Sequence, residues 1–270
     1  MGALLSSIVA LLPQAVRRRL RAARQALASR HFIDEAEVIA ALSTDSPGEG
    51  SVLVDVGAHH GFVSAQFLEL GWSVIAYEPD PINREEFLKS IGPHPRVQLS
   101  CAAVSDKPAA SVPLFSSPVS SGISSLTPFH DTHTPVANVE TVTLADDLAK
   151  RGVQSVDFLK IDIEGFDYYA LRGFPWAYRP RFVLYEFEDR KTVPLGYTLT
   201  DSSSFLSEHG YHLVYSVWEP IIEYGMRHRW RGFFQAPPAD VEKCWGNVLC
   251  FRDEDDAHRC LRQFGRRSRR

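Results

Sequence analysis

Val52-Leu-Val-Asp-Val-Gly-Ala-His-His-Gly61 decides the fold of this chain. An apolar run of strand type stops at an acid and a glycine, and Phe62–Leu70 follows with the spacing of a helix. A strand that turns through Gly57 and Gly61 into a helix opens backbone N–H groups and the helix amino end to a ligand, because glycine puts no side chain in the way. The pattern then repeats. Val74–Tyr77 reads as a second strand ending at Glu78, and Asp80 followed by Pro81 starts a second helix with Phe87 and Leu88 facing inward. Val97–Cys101, Asp157–Ile161, Arg181–Phe187, Tyr211–Val217 and Asn247–Phe251 read as further strands, with helices near Leu144–Lys150 and Ser202–His209. Seven strands with interleaved helices predict an α/β fold with a doubly wound, Rossmann-like sheet that presents its ligand site at the carboxyl ends of the strands.

The dinucleotide spacing G-x-G-x-x-G is not met, since His59 stands at its second glycine and Phe62 at its third. A pyrophosphate cradle is therefore disfavoured. Glu78, ending the second strand, is placed to accept hydrogen bonds from two ribose hydroxyls. A ribose-bearing cofactor without pyrophosphate fits, and S-adenosylmethionine is the common one. Asp55 would bind the ammonium of its methionine part, directly or through water. The competing reading is a strand-turn-helix that holds no ligand.

A second motif, Asp157-Phe-Leu-Lys-Ile-Asp-Ile-Glu-Gly165, supplies acids. If extension persists, strand alternation puts Asp162 and Glu164 on one side, and Gly165 lets the chain turn away. Paired carboxylates raise one pKa into the range of a useful base, or bind a hard cation such as Mg²⁺ or Ca²⁺ with Glu186 as a third oxygen ligand. The structural alternative has Asp162 capping the next helix and Glu164 paired to a lysine or arginine.

The rest of the chain sets limits. In 270 residues with 44% hydrophobic content there is material for one large core, and a net charge of −4 gives no reason to expect nucleic acid. The expected organisation is a helical extension over 1–48, one domain over 49–252 and a basic tail over 253–270. Gly2–Leu12 is apolar, but about 11 residues cannot span a bilayer that needs about 20. Val16, Leu20, Ala23 and Leu27 share one face of a helix while Arg17, Arg18, Arg21 and Arg24 take others, so contact with a membrane surface competes with packing on the core. Cys101, Cys244, Cys250 and Cys260 show no zinc spacing and read as buried free thiols in a reducing compartment. The Ser- and Pro-rich interval 105–140, with Ser116-Ser-Pro-Val-Ser-Ser-Gly122 and His130, reads as a long loop over the ligand end of the sheet.

Asp55-Val-Gly-Ala-His-His-Gly61, Tyr77-Glu-Pro-Asp80, Ala103-Val-Ser-Asp106, Thr143-Leu-Ala-Asp-Asp-Leu148, Asp157-Phe-Leu-Lys-Ile-Asp-Ile-Glu-Gly165 and Asn247-Val-Leu249 together resemble the successive signatures of FkbM-type methyltransferases, across about residues 50–251. The resemblance implies a class I methyltransferase fold, S-adenosylmethionine as donor, and a hydroxyl acceptor on a sugar, glycan or natural product. By position it implies that Gly57, Ala58, His59 and Gly61 line the cofactor, that Glu78 holds its ribose beside Pro79, and that Ala102 and Ala103 lie near the adenine. His59 departs from the asparagine common in the family.

These readings converge on an O-methyltransferase of the cytoplasm, with possible attachment at the inner membrane surface. Asp162 or Glu164 is the first choice for a base that takes the acceptor proton, with His60 and His130 as alternatives. Arg227, Arg229 and Arg231, in Tyr224-Gly-Met-Arg-His-Arg-Trp-Arg231, are candidates for an anionic acceptor, against a solvated hairpin. Tyr185, Trp218, Trp230 and Phe233 would offer flat faces to a sugar ring unless they are core. N- or C-methylation of a small metabolite, a nucleotide-responsive binding module without catalysis, and a NAD oxidoreductase are the alternatives. Oligomeric state is not legible.

Overall fold

The computed structural model describes residues 33–45, 50–224 and 228–265. In chain order the elements are α1 (Glu35–Leu42), β1 (Val52–Val56), α2 (Phe62–Glu69), β2 (Ser73–Tyr77), α3 (Pro81–Ile91), β3 (Val97–Ser100), β4 (Ala103–Val104), β5 (Ala109–Ser117), β6 (Ser120–Ser125) and β7 (Thr134–Val142). They continue as α4 (Leu144–Lys150), β8 (Phe158–Ile161), α5 (Asp167–Arg172), β9 (Phe182–Phe187), α6 (Asp189–Thr192), α7 (Leu199–Glu208), β10 (His212–Trp218), β11 (Trp230–Phe234), β12 (Trp245–Phe251) and α8 (Glu254–Phe264).

The main sheet has eight strands in the order β11-β10-β12-β9-β8-β1-β2-β3. The run from β9 to β3 is parallel, and β12, β10 and β11 are antiparallel. Seven of these strands are the ones read from the sequence. The eighth, β11, occupies Trp230-Arg-Gly-Phe-Phe234 at the sheet edge, where Gly232 and the half-buried Arg231 break the strand pattern and make the stretch look like a solvated hairpin. Strand β1 sits where the winding reverses, with β2 and β3 on one side and β8 and β9 on the other, so a crevice opens at the carboxyl ends.

Both faces of the sheet are covered, which explains the nearly continuous apolar runs of its strands. Leu53 and Phe158 pack with Val38, Ile39 and Leu42 of α1, Phe67 of α2 and Phe87 of α3. Val54, Val56, Leu159 and Ile161 turn the other way, onto Leu144 and Leu148 of α4 and Ala170 and Leu171 of α5. Each such side chain contributes about 1.5–3 kcal/mol through burial.

Two expectations change here. The interval 105–140 is not an irregular loop: β4, β7, β5 and β6 form a second, four-stranded sheet over the crevice. Irregular register between β5 and its neighbours breaks the two-residue period that would have revealed it. At the other end, the residues set apart as a basic tail contain α8, whose Ala257 and Cys260 join the core layer of α1. Asp256 of α8 takes a bidentate bond from Arg181, at 2.8 and 3.0 Å. The signal was present in the spacing of Ala257, Cys260, Leu261 and Phe264 behind an acidic first turn.

The basic amphipathic segment around Arg17–Leu27 and the terminal arginines after Gly265 lie outside the described residues. Among those described, no helix is long and apolar enough to cross a membrane. All four cysteines are free; Cys101 is exposed at the end of β3, contrary to expectation, and the other three are buried.

Candidate active site

One end of the crevice, at the turn that follows β1, is built from backbone. After β1 the amides of Gly57 and Ala58 both donate to the Tyr77 carbonyl, at 2.9 and 3.0 Å. Gly57 has φ +75°, and a Cβ there would lie 1.9 Å from the carbonyl oxygen of Asp162. The glycine therefore lets the first motif touch the end of the second. Gly61 also has positive φ, but a Cβ there would meet Phe87 at 2.9 Å, so this glycine seats α2 against α3 and does not line the crevice, as the cofactor assignment had placed it.

Glu78 is the fixed acid of this end. Its two oxygens accept from the amides of His59 and Asp80, at 2.7 and 2.9 Å, and burial pushes its pKa up to about 7 against the pull of those two bonds. A carboxylate has about four acceptor sites, so two backbone bonds leave room for a pair of hydroxyls. Ala58, Pro79, Ala102, Ala103, Val104 and Leu114 supply apolar wall around it. A buried acid with free lone pairs beside an alanine-lined slot fits the ribose and base of an adenosine.

Asp55 does not reach that space. It is fully buried, accepts from Ser64 of α2 at 2.7 Å, and faces Lys160 at 3.2 Å across the register of β1 and β8. Its role is to anchor the turn through Lys160, which donates to the Gly57 carbonyl at 2.6 Å and does line the crevice. Direct contact between Asp55 and a donor ammonium is thus replaced by support from beneath.

The acidic end begins where β8 stops. Glu164 has φ +58°, so the chain is no longer extended and strand alternation fails. A turn, rather than a pleat, brings Asp162 and Glu164 to the same crevice. Asp162 is exposed, and no side chain caps the next helix; Asp167, its first residue, accepts from the Gly165 amide. Glu164 is paired to Lys191 of α6, which also meets Glu186 and Glu188. Burial pushes Glu164 up to about 7, with Lys191 opposing and Asp162 reinforcing the shift. Burial likewise raises the pKa of Glu186. Oxygens of Asp162, Glu164 and Glu186 lie within 4.8 Å of one another, a donor set suited to a hard cation.

The second sheet roofs both ends. Ser121, Gly122, Ser124, Ser125 and Leu126 face the crevice. Asn83 donates to the Ser121 carbonyl at 2.9 Å, Ser124 donates to Asp80 at 2.8 Å, and Ser125 donates to the Glu164 carbonyl at 3.0 Å. His59, at φ +50°, stacks on His60 with ring centroids 3.7 Å apart and meets the Ser121 hydroxyl through Nε2 at 2.9 Å. Burial, then the charges of His60 and Lys160, hold its pKa at about 4, so His59 is neutral near pH 7.

Other candidates fall elsewhere. His60 stacks behind His59 and does not line the crevice; His130 bonds Thr132 and meets the edge of Tyr224 beyond it. Arg231 is held by Glu219 and Asp240 at the far edge, Arg229 is exposed, and Arg227 lies outside the described residues. Tyr185, Trp218, Trp230 and Phe233 are core. Sequence reading missed Lys160, Ser121 and Lys191. Lys160 alone carried a signal, a lysine inside an apolar strand.

The family model of the FkbM methyltransferase domain matches residues 55–213. A search of curated protein sequences finds no match. Solved structures similar to this chain include precorrin-6y C5,15-methyltransferase from Geobacter metallireducens GS-15, at 12% identity over 83% of this chain and 92% of that one, with a TM-score of 0.43. Another is magnesium protoporphyrin IX methyltransferase from Synechocystis PCC 6803, solved with its bound donor, at 9% identity over 90% and 86% of the two chains, with a TM-score of 0.42. With that family match over most of its length, and a crevice whose acid and apolar wall suit adenosine, the chain belongs to the FkbM methyltransferase family and is a methyltransferase that uses S-adenosylmethionine.

Proposed function

We propose that this chain methylates a hydroxyl of a sugar, glycan or glycosylated natural product. The observation that supports the reading is one crevice with two unlike ends: a backbone-fixed acid and apolar slot at Glu78, and the Asp162–Glu164 pair at the other end, under a roof of serines. S-adenosylmethionine supplies an electrophilic methyl on a sulfonium. The protein has to hold the acceptor oxygen in line with it, and positioning of this kind contributes about 7–11 kcal/mol. Glu78 and the Ala58, Ala102 and Ala103 wall orient the donor. Glu164 takes the acceptor proton as the new bond forms: burial raises its pKa above the usual carboxylate range, toward that of a useful base. Asp162, exposed at the crevice, places negative charge near the cationic donor and accepts from a neighbouring hydroxyl of the acceptor.

The test is a panel of glycans, lipid-linked sugars and glycosylated natural products incubated with methyl-labelled donor and read by mass spectrometry. A methyl ether on a sugar oxygen is expected. Methyl on nitrogen or carbon would overturn the hydroxyl assignment. S-adenosylhomocysteine binding with no transfer to any acceptor would favour a binding module.

A further inference from the structure

Lys191 is placed as few lysines are. Its side chain is 2% exposed, and Nζ lies 2.5 Å from Glu164, 2.8 Å from Glu188 and 3.1 Å from Glu186. An ammonium offers three donors and no acceptor; two of them go to Glu164 and Glu186, and the Glu188 carboxylate stands close enough for charge attraction without a hydrogen bond. The rings of Phe129 and Tyr224 stand 5.1 and 5.9 Å from the same nitrogen, within the range where an aromatic face attracts a cation. Asp162 adds a fourth acid, its oxygen within 4.8 Å of those of Glu164 and Glu186.

Such a cage of oxygens suits a divalent ion, yet two of its three closest ligands already hold the lysine. Removing one partner of a buried ion pair leaves uncompensated charge that is costly to keep dry. The cage without its lysine would carry several such charges and a strong demand for a cation.

We propose that the Lys191 ammonium is the built-in cation of this cage: it takes the place of a divalent metal, excludes Mg²⁺ and Ca²⁺, and fixes the Glu164 carboxylate at the crevice wall. Lys191 is then a positioning residue, acting through Glu164. Its effect on turnover rests on the methyl-transfer reading; the occupancy of the cage does not.

Calorimetric titration of the full chain with Mn²⁺ tests this. Wild type should show no stoichiometric binding up to about 1 mM, the weak end of the range for protein cation sites. Lys191→Met should bind one Mn²⁺ with a dissociation constant of about 10⁻⁵–10⁻³ M, and adding Glu186→Gln should abolish it. Turnover by Lys191→Met should fall and recover in part with Mn²⁺, while S-adenosylhomocysteine affinity stays within about twofold, since the donor end is untouched. The Glu188→Gln/Lys191→Met double variant relieves excess negative charge and serves if the single variant does not fold by circular dichroism. One Mn²⁺ bound by wild type and lost in Glu186→Gln overturns the proposal, as does a folded lysine-free variant that binds none. Absence of S-adenosylhomocysteine binding to wild type would instead sink the donor assignment and leave the Mn²⁺ result standing.

Discussion

The two ends of the crevice are held by different means. At the donor end, the amides of Gly57, Ala58, His59 and Asp80 fix the geometry, and the one acid, Glu78, is bonded to two of them. At the acidic end, side chains brought from β8, β9 and α6 hold one another through a single lysine. A backbone scaffold tolerates change in its side chains but not in its glycines. A cage of charges is the reverse, since replacing any one member unbalances the others.

Gly57→Ala is the largest expected effect. Its Cβ would sit 1.9 Å from the Asp162 oxygen at φ +75°, so we expect a loss of more than about 4 kcal/mol in urea unfolding. Gly152→Ala, at φ +69° with nothing within 4 Å, is the control and should cost about 1–2 kcal/mol. Equal costs at the two glycines would break the claim that the two motifs meet there.

At the acidic end, Glu164→Gln should lower kcat by about 10²–10⁴-fold, the usual range for a general base. Asp162→Asn should lower it less, and both should leave S-adenosylhomocysteine affinity within about twofold. A Glu164→Gln enzyme with full turnover would remove Glu164 from the mechanism.

That division also explains what the sequence could and could not disclose. Gly57 and Glu78 are carried within short strand-turn units and line the crevice where the local pattern places them, whereas Ala102 and Ala103, which line it too, came only from the family resemblance. Asp162 and Glu164 were found for a partly mistaken reason: the left-handed backbone at Glu164 ends the strand that was to align them. Lys191 is beyond sequence reasoning, because nothing local in Glu188-Asp-Arg-Lys191 says that its ammonium lies against an acid 27 residues earlier. Asp55 was misassigned since the strand pattern gives its face but not the lysine in register beside it. The serine-rich roof was hidden by irregular pairing in β5.

Glu78→Ala sharpens the donor side. Bonds from a charged acceptor contribute about 1.5–3 kcal/mol, so S-adenosylhomocysteine affinity should fall by about 10–100-fold in calorimetry, with kcat at saturating donor changed much less. An unchanged dissociation constant would refute the ribose role.

The smallest effects concern pH and the roof, where Glu78 and His59 pull in opposite directions. The folded pKa of Glu78, about 7, lies above its unfolded value, so its contribution to stability is full below about 4.5 and is lost as pH rises through 7. His59, at about 4 in the fold, lies below its unfolded value; its contribution is full above about 6.5 and is lost as pH falls toward 4. Thermal unfolding of the free protein should therefore lose part of its alkaline-side decline between pH 5 and 8 in Glu78→Gln, the rest belonging to Glu164 and the other raised acids, and part of its acid-side decline in His59→Asn. Asparagine tolerates the left-handed backbone at this position and carries a side-chain donor of its own. His59→Asn should consequently keep donor affinity within a fewfold, whereas Ser121→Ala, which removes the roof's partner for His59, should weaken it by about 2–10-fold, the worth of one hydrogen bond. If Ser121→Ala binds S-adenosylhomocysteine as wild type does, the His59 contact is incidental, and the bonds of Asn83 and Ser124 suffice to tie the roof to that end.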